Sequence, residues 1–177
     1  RLGYRAPLWQ LWQVAVPSRT NVYEYKRHKR DVDELVGRIN GRFGTPDYTP
    51  IRYVNSSLDA REVTALYRAA DVMLVTPVRD GLNLVAKEFV AARTDDDGVL
   101  VLSEFAGVAA VLPEALKVNP YDTDGSAEVM AAALALPRDE RRRRMRAMRE
   151  AVRSSNVHEW VRSFLDDLSA GEFDAPH

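Results

Sequence analysis

With 177 residues, 46% of them hydrophobic, and a formal net charge of -1, the chain is long enough to bury a sizeable core and carries no general bias toward nucleic acid. The lack of cysteine excludes disulfides, thiol nucleophiles and thiolate metal sites, and the scattered His28, His158 and His177 offer no ligand spacing, so no metal is expected. No apolar stretch approaches the roughly 20 residues of a membrane helix and no signal-like start is visible, so the expectation is a cytoplasmic chain without a membrane partner.

The chain begins at Arg1 with a buried-strand pattern close behind it, which points to a piece of a larger protein. The run Leu11 to Val16 predicts a strand ending at Pro17 and Ser18. From about Val22 to Phe43 the apolar positions Val32, Leu35, Val36 and Ile39 recur at helical spacing, with Gly41 and Gly44 as the stop. Ile51 to Val54 predicts a second strand. Ser57 or Asp59 can cap the next helix, whose apolar face is Val63, Leu66 and Tyr67. A strand over Asp71 to Val75 follows, then a helix from Leu84 to about Arg93. After the acidic loop Asp95, Asp96, Asp97, Gly98 comes the strand Val99 to Leu102, with a helix expected straight after Ser103. Ala115 to Val118 gives the last strand, ending in Asn119, Pro120, Tyr121 and Asp122, and helices fill the remainder from Gly125 to Leu168.

Repeated strand and helix units with apolar strands predict an α/β fold: a parallel sheet of about five strands covered by helices on both faces. Ligands of such sheets sit beyond the carboxyl ends of the strands. Arg19, Arg79, Asp80, Asn83 and Glu104 all fall in loops on that predicted edge. At the junction of Val72 to Val75 with the helix from Leu84, Gly81 lets backbone approach a ligand, and Asn83 can cap a helix whose first amides face an anion. Glu88 follows about one turn on, suited to ribose hydroxyls, and Asp80 is suited to sugar hydroxyls.

Each feature also has a plainer reading. Asp-Gly before a helix is commonly only a turn, and Lys87 with Glu88 can be an exposed charged pair. Asp95 to Asp97 lack the spacing of a calcium loop and read as a solvated turn. Arg138, Arg141 to Arg144, Arg146, Arg149 and Arg153 resemble a polyanion patch, yet Met145, Met148 and Val152 mark an amphipathic helix with a solvated face. Trp160, Phe164 and Leu168 read as another packed stripe, and His158 as a polar residue without catalytic partners.

Five segments carry a resemblance to a known family: VAVPSRT at 14–20, GRINGRFG at 37–44, ALYRAADVMLVTPVRDGLNLVAKEFVAAR at 65–93, GVLVLSEFAG at 98–107 and NPYD at 119–122. The chain resembles the retaining glycosyltransferases that make trehalose 6-phosphate, and the long central block is highly specific. The resemblance covers nearly the whole chain but only the later part of the family's second, donor-binding domain. It implies that residues 1–177 are a partial C-terminal, Rossmann-like, nucleotide-sugar-binding domain of a two-domain GT-B enzyme, with C-terminal helices at 125–170 and the N-terminal acceptor domain absent.

The resemblance implies specific roles. Asp80 resembles the acid that binds donor glucose hydroxyls, with the amides of Gly81, Leu82 and Asn83 nearby. Leu84, Val85, Ala86, Lys87 and Glu88 match the segment that cradles diphosphate and ribose. Leu58 falls where some members place a phenylalanine against the base, which leaves uridine or guanosine open. Arg19 looks like the arginine that holds the phosphate of the acceptor, glucose 6-phosphate. No certain catalytic residue lies in this chain, because the family's assisting arginine, lysine, histidine and aspartate have no counterparts here.

The implied reaction moves glucose from UDP-glucose or GDP-glucose to glucose 6-phosphate with retention, without cofactor or metal, the isolated chain being inactive and the full-length protein a homo-oligomer. Two alternatives remain: a pseudo-glycosyltransferase coupling cyclitols, and a non-catalytic regulatory or interaction domain of the same fold.

Overall fold

The computed structural model describes residues 9–16 and 23–154, together with Val161 and Leu165. Arg19, His158, Trp160, Phe164, Leu168 and His177 lie outside the described residues. The chain divides into two compact units, Arg1–Ala60 and Arg61–His177.

In the first unit, β1 (Leu11–Val14) pairs in parallel with β2 (Ile51–Val54), Leu11 opposite Ile51 and Val14 opposite Val54. They are joined by α1 (Tyr23–Phe43), which packs on β2. Of the stripe read from the sequence, Val32, Val36 and Ile39 are half-buried, whereas Leu35 stays exposed. A side chain fixes the end of α1 to the strand. Asn40 Nδ2 donates to the Ile51 carbonyl at 2.9 Å, and Ile51 N donates to Asn40 Oδ1 at 2.9 Å. The chain then reverses at Gly44, whose amide donates to the Asn40 carbonyl at 2.8 Å and where a Cβ would overlap that same oxygen.

The second unit takes in α2, which starts at the last residue of the first (Ala60–Ala69), then β3 (Val72–Val75), α3 (Leu84–Ala92), β4 (Val99–Ser103), β5 (Leu116–Val118), α4 (Thr123–Ala135) and α5 (Arg138–Ser154). Its three strands are all parallel in the order β3-β4-β5, with Val72 opposite Val99 and Val101 opposite Leu116. The five expected strands are therefore present as a two-stranded and a three-stranded parallel sheet.

Central β4 is buried throughout, and its alternation divides the core. Leu100 and Leu102 join Phe89 and Val90 of α3 and Met145 and Met148 of α5 on one face. Val99 and Val101 join Val118 and Ala133 of α4 on the other. A parallel strand so placed needs apolar side chains at every position, which is why VLVL reads as an unbroken run. Each large side chain buried there contributes about 1.5–3 kcal/mol.

Three features differ from the sequence reading. No α-helix follows Ser103: its Oγ accepts from Phe105 N at 3.1 Å, turning the chain at Glu104 into a single 3-10 turn over Gly107–Ala110 before Pro113. The C-terminal helical region starts at Thr123, where Asp122 Oδ1 caps Gly125 N at 2.9 Å, and breaks at Leu136 and Pro137. The acidic loop is not merely solvated. Asp97 accepts from Arg138 at 3.1 Å and Arg141 at 2.7 Å, and Asp96 accepts from Arg146 at 3.0 Å and from Arg149. Asp96 adopts a left-handed conformation, φ 56°, that turns its carboxylate toward α5. Arg93, only 5% exposed, caps the end of α2. Its Nη1 donates to the carbonyls of Arg68 at 2.8 Å and Ala70 at 2.7 Å. Among the described residues, no helix is long and apolar enough to cross a membrane.

Two outcomes follow from this core. Met148→Ala should cost about 2–5 kcal/mol by denaturant unfolding, since its side chain is fully enclosed. Hydrogen bonds from Arg149 and Arg146 hold the Asp96 carboxyl below its usual range, despite the opposing effect of burial. At Asp97 burial pushes the other way, but Arg141 and Arg138 outweigh it. Depressed folded values mean stability that is present above the unfolded carboxylate value of about 3.9 and is lost as pH falls through the folded one. Asp96→Asn should therefore lower Tm at neutral pH, and its gap to wild type should close below about pH 4 in a pH series of thermal melts.

Candidate functional site

The loop between β3 and α3 is organised by the Asp80 carboxylate. Oδ1 accepts from Leu82 N at 3.1 Å and Asn83 N at 3.0 Å, and Oδ2 accepts from Asn83 Nδ2 at 2.9 Å. Asn83 stands at the N-cap with φ 57°, a left-handed conformation that asparagine tolerates, and its Oδ1 accepts from Ala86 N at 2.9 Å. One amide side chain thus links the loop acid to the helix. Of the amides that a helix start leaves without intrahelical partners, those of Asn83 and Ala86 are satisfied in this way, and those of Leu84 and Val85 have no partner among the described residues. Both residues are exposed, at 57% and 42%. The partial positive end of α3 therefore presents two adjacent N–H groups without a protein partner among the described residues, the arrangement that suits an anion.

Beside it runs a cleft of about 480 Å³, lined on one side by Arg79, Asp80 and Gly81 and on the other by Glu104, Phe105 and Gly107. The two walls are tied together. Gly107 N donates to the Asp80 carbonyl at 2.9 Å, Asp80 bridges to Ala106 in parallel, and a Cβ at Gly107 would overlap the Gly81 carbonyl oxygen. Glycine is needed at 107 for that approach. Lys117 on β5 holds the far wall, its Nζ donating to the carbonyls of Ala109 at 2.9 Å and Leu112 at 2.7 Å, while burial pulls its ammonium below the usual lysine value. Phe105 sits edge to face on Tyr121 at 5.9 Å.

Glu88 lies exposed one turn along α3 and accepts from Tyr67 Oη at 3.1 Å. Burial first, and the Glu88 hydrogen bond second, push the Tyr67 phenol up to about 12, so it donates throughout the neutral range. Among the described residues no group of His, Asp and Glu is placed to hold a metal ion.

Of the residues singled out from sequence, the structure brings Asp80, Gly81, Leu82, Asn83, Leu84, Val85, Ala86, Lys87 and Glu88 together as one strand-to-helix junction, with Arg79 and Glu104 at the adjoining cleft. Leu58 belongs to the first unit, half-buried beyond β2. Ala86 is fully enclosed in the core, so only its backbone faces the loop. Gly107, Lys117 and Tyr67 were not distinguished as site residues by sequence. Only Gly107 had a signal, as the glycine closing the loop after β4.

A parallel α/β scaffold with an anion-facing helix start beyond its strands defines a class of nucleotide-binding folds. Residues 8–170 match the model of glycosyltransferase family 20, and the chain belongs to that family. It is 50% identical over 159 residues to a trehalose-6-phosphate synthase of Sinorhizobium fredii, covering 89% of this chain and 34% of that protein. Among solved structures it is similar to a UDP-forming α,α-trehalose-phosphate synthase from Burkholderia xenovorans, with 46% identity, a TM-score of 0.85, and coverage of 90% of this chain and 36% of that one. It is also similar to an E. coli protein solved with UDP-2-fluoro glucose bound, at 41% identity and a TM-score of 0.85, over 90% of this chain and 36% of that one. The chain thus spans about a third of the length of the relatives it matches.

Gly107→Ala should force the Asp80 and Gly107 loops apart. A lower Tm, together with faster amide exchange at Gly107, is the expected result of thermal melts and hydrogen exchange.

Proposed function

We propose that this chain is the donor-binding part of an α,α-trehalose-phosphate synthase, which transfers glucose from UDP-glucose to glucose 6-phosphate with retention, releasing UDP. The observation that carries the reading is the start of α3, where the open amides of Leu84 and Val85 and the Glu88 carboxylate sit on one exposed helical turn. Amides suit the diphosphate, and a carboxylate one turn away suits ribose hydroxyls.

Asp80 takes the donor glucose. A carboxylate offers about four acceptor positions, and its loop uses three of them, so one remains for a sugar hydroxyl while the amides keep the acid fixed. Gly81 lets that hydroxyl approach the backbone. By the family resemblance Leu58 is assigned to the nucleotide base and Arg19 to the phosphate of the acceptor. The names of the matched relatives favour uridine: one is UDP-forming and one carries UDP-2-fluoro glucose. A related Burkholderia xenovorans synthase is described in complex with glucose-6-phosphate, which supports that acceptor.

As the glycosidic bond of the donor breaks, negative charge gathers on the departing diphosphate and positive charge on the sugar. Amides already aimed at the diphosphate need no reorganisation at that moment, and so lower the barrier by stabilising the leaving group. In this scheme no residue of the chain acts as a covalent nucleophile, and neither cofactor nor metal is required. The setting is cytoplasmic, and the protein at its natural length acts as a homo-oligomer.

Calorimetry tests the reading. UDP should bind more tightly than GDP, and Glu88→Ala should weaken UDP roughly ten- to hundredfold, the range for hydrogen bonds to a charged group. Equal affinity of the two proteins for UDP would remove Glu88 from the site.

A further inference from the structure

We infer that Tyr67 is a positioning residue for the nucleotide: its hydroxyl holds the Glu88 carboxylate in the orientation that receives the ribose. The inference rests on the reading of Glu88 as the ribose ligand. Glu88 is an exposed helical glutamate, a side chain with several rotamers of similar energy, and free rotation would have to be frozen each time a nucleotide binds. The Tyr67 hydroxyl removes part of that freedom in advance, because it donates to Oε2 at 3.1 Å and leaves Oε1 to accept from a ligand.

Tyr67 is itself held at three points on α3 and its C-cap. Its ring packs edge to face on the fully buried Phe89, with centroids 6.2 Å apart and planes at 80°. Its backbone carbonyl accepts from Arg93 Nη1 at 3.3 Å, and the same guanidinium binds the carbonyls of Arg68 and Ala70. Its hydroxyl meets Glu88. Ring and backbone are thus anchored on Phe89 and Arg93 independently of Glu88, so the hydroxyl is brought to Glu88 by packing as well as by the contact itself. The phenol is protonated at neutral pH, and as a neutral donor it leaves the full negative charge on Glu88.

Tyr67→Phe keeps the ring on Phe89 and removes only the hydroxyl. In the protein at its natural length, UDP affinity should fall roughly threefold to tenfold, less than for loss of the ligand contact itself because only its orientation is lost, with KM for the nucleotide sugar rising and kcat near the wild-type value. Binding of 2′,3′-dideoxy-UDP, which lacks the ribose hydroxyls, should be unchanged, and Tyr67→Phe should add nothing in a Glu88→Ala background, where no acceptor is left to orient. If Tyr67→Phe weakens UDP and the dideoxy analogue equally, or weakens neither, Tyr67 has no positioning role, and the Glu88 reading then stands as long as Glu88→Ala weakens UDP. If Glu88→Ala itself leaves UDP binding intact, both the ribose assignment and the role of Tyr67 fall.

Discussion

The second unit depends on the burial of β4 on both faces. A central parallel strand exposes no side to water, so helices must cover it above and below, and the alternation of VLVLS assigns Leu100 and Leu102 to α3 and α5 and Val99 and Val101 to α4. Once the helices are so placed, each strand must hand over to its helix at the same end of the sheet. The loops after β3 and β4 are thereby made neighbours, and the link from Gly107 N to the Asp80 carbonyl is the local expression of that constraint. The site is a consequence of sheet geometry before it is a matter of individual side chains.

The second-unit strands and the strand-to-helix junction were legible in the sequence because their signals are local. Apolar runs such as Val72 to Val75, and an Asn three residues ahead of the amide it caps, need only neighbouring positions to be read. What escaped were partnerships across long separations. Arg93 looks like the last polar residue of a helix, and nothing nearby shows that its guanidinium closes α2 some 23 to 26 residues earlier. Asp96 and Asp97 look like a solvated turn until α5, 41 to 53 residues on, supplies their arginines. The missing helix after Ser103 is a different case. Gly107 to Val111 has ordinary helical composition, but a hydroxyl turn at one end and Pro113 at the other leave room for only one tight turn.

Those long-range ion pairs also settle how the arginine-rich α5 should be understood. A string of guanidiniums can bind a polyanion only if they are free to do so, and here Arg138, Arg141, Arg146 and Arg149 are turned onto the acidic loop, while Arg143 and Arg144 pair with Glu140. Surface pairs contribute little singly, yet these join one loop to one helix at several points and act as a network. The more enclosed Arg141, Arg144 and Arg149 thus serve the packing that keeps Met145 and Met148 over β4, while Arg138, Arg143 and Arg146 make their pairs on the exposed face.

At the junction itself the division of polar groups carries the chemistry. An aspartate beside a helix start could neutralise that end and repel a diphosphate, which would defeat an anion site. Asp80 limits this by turning its carboxylate back onto Leu82 N, Asn83 N and the Asn83 side chain, so its charge is met by donors of its own loop. Asn83 then passes the constraint on to Ala86 N, and the amides left over are those of Leu84 and Val85. The same carboxylate that organises the loop thus decides which backbone amides of the helix start are left without a protein partner among the described residues.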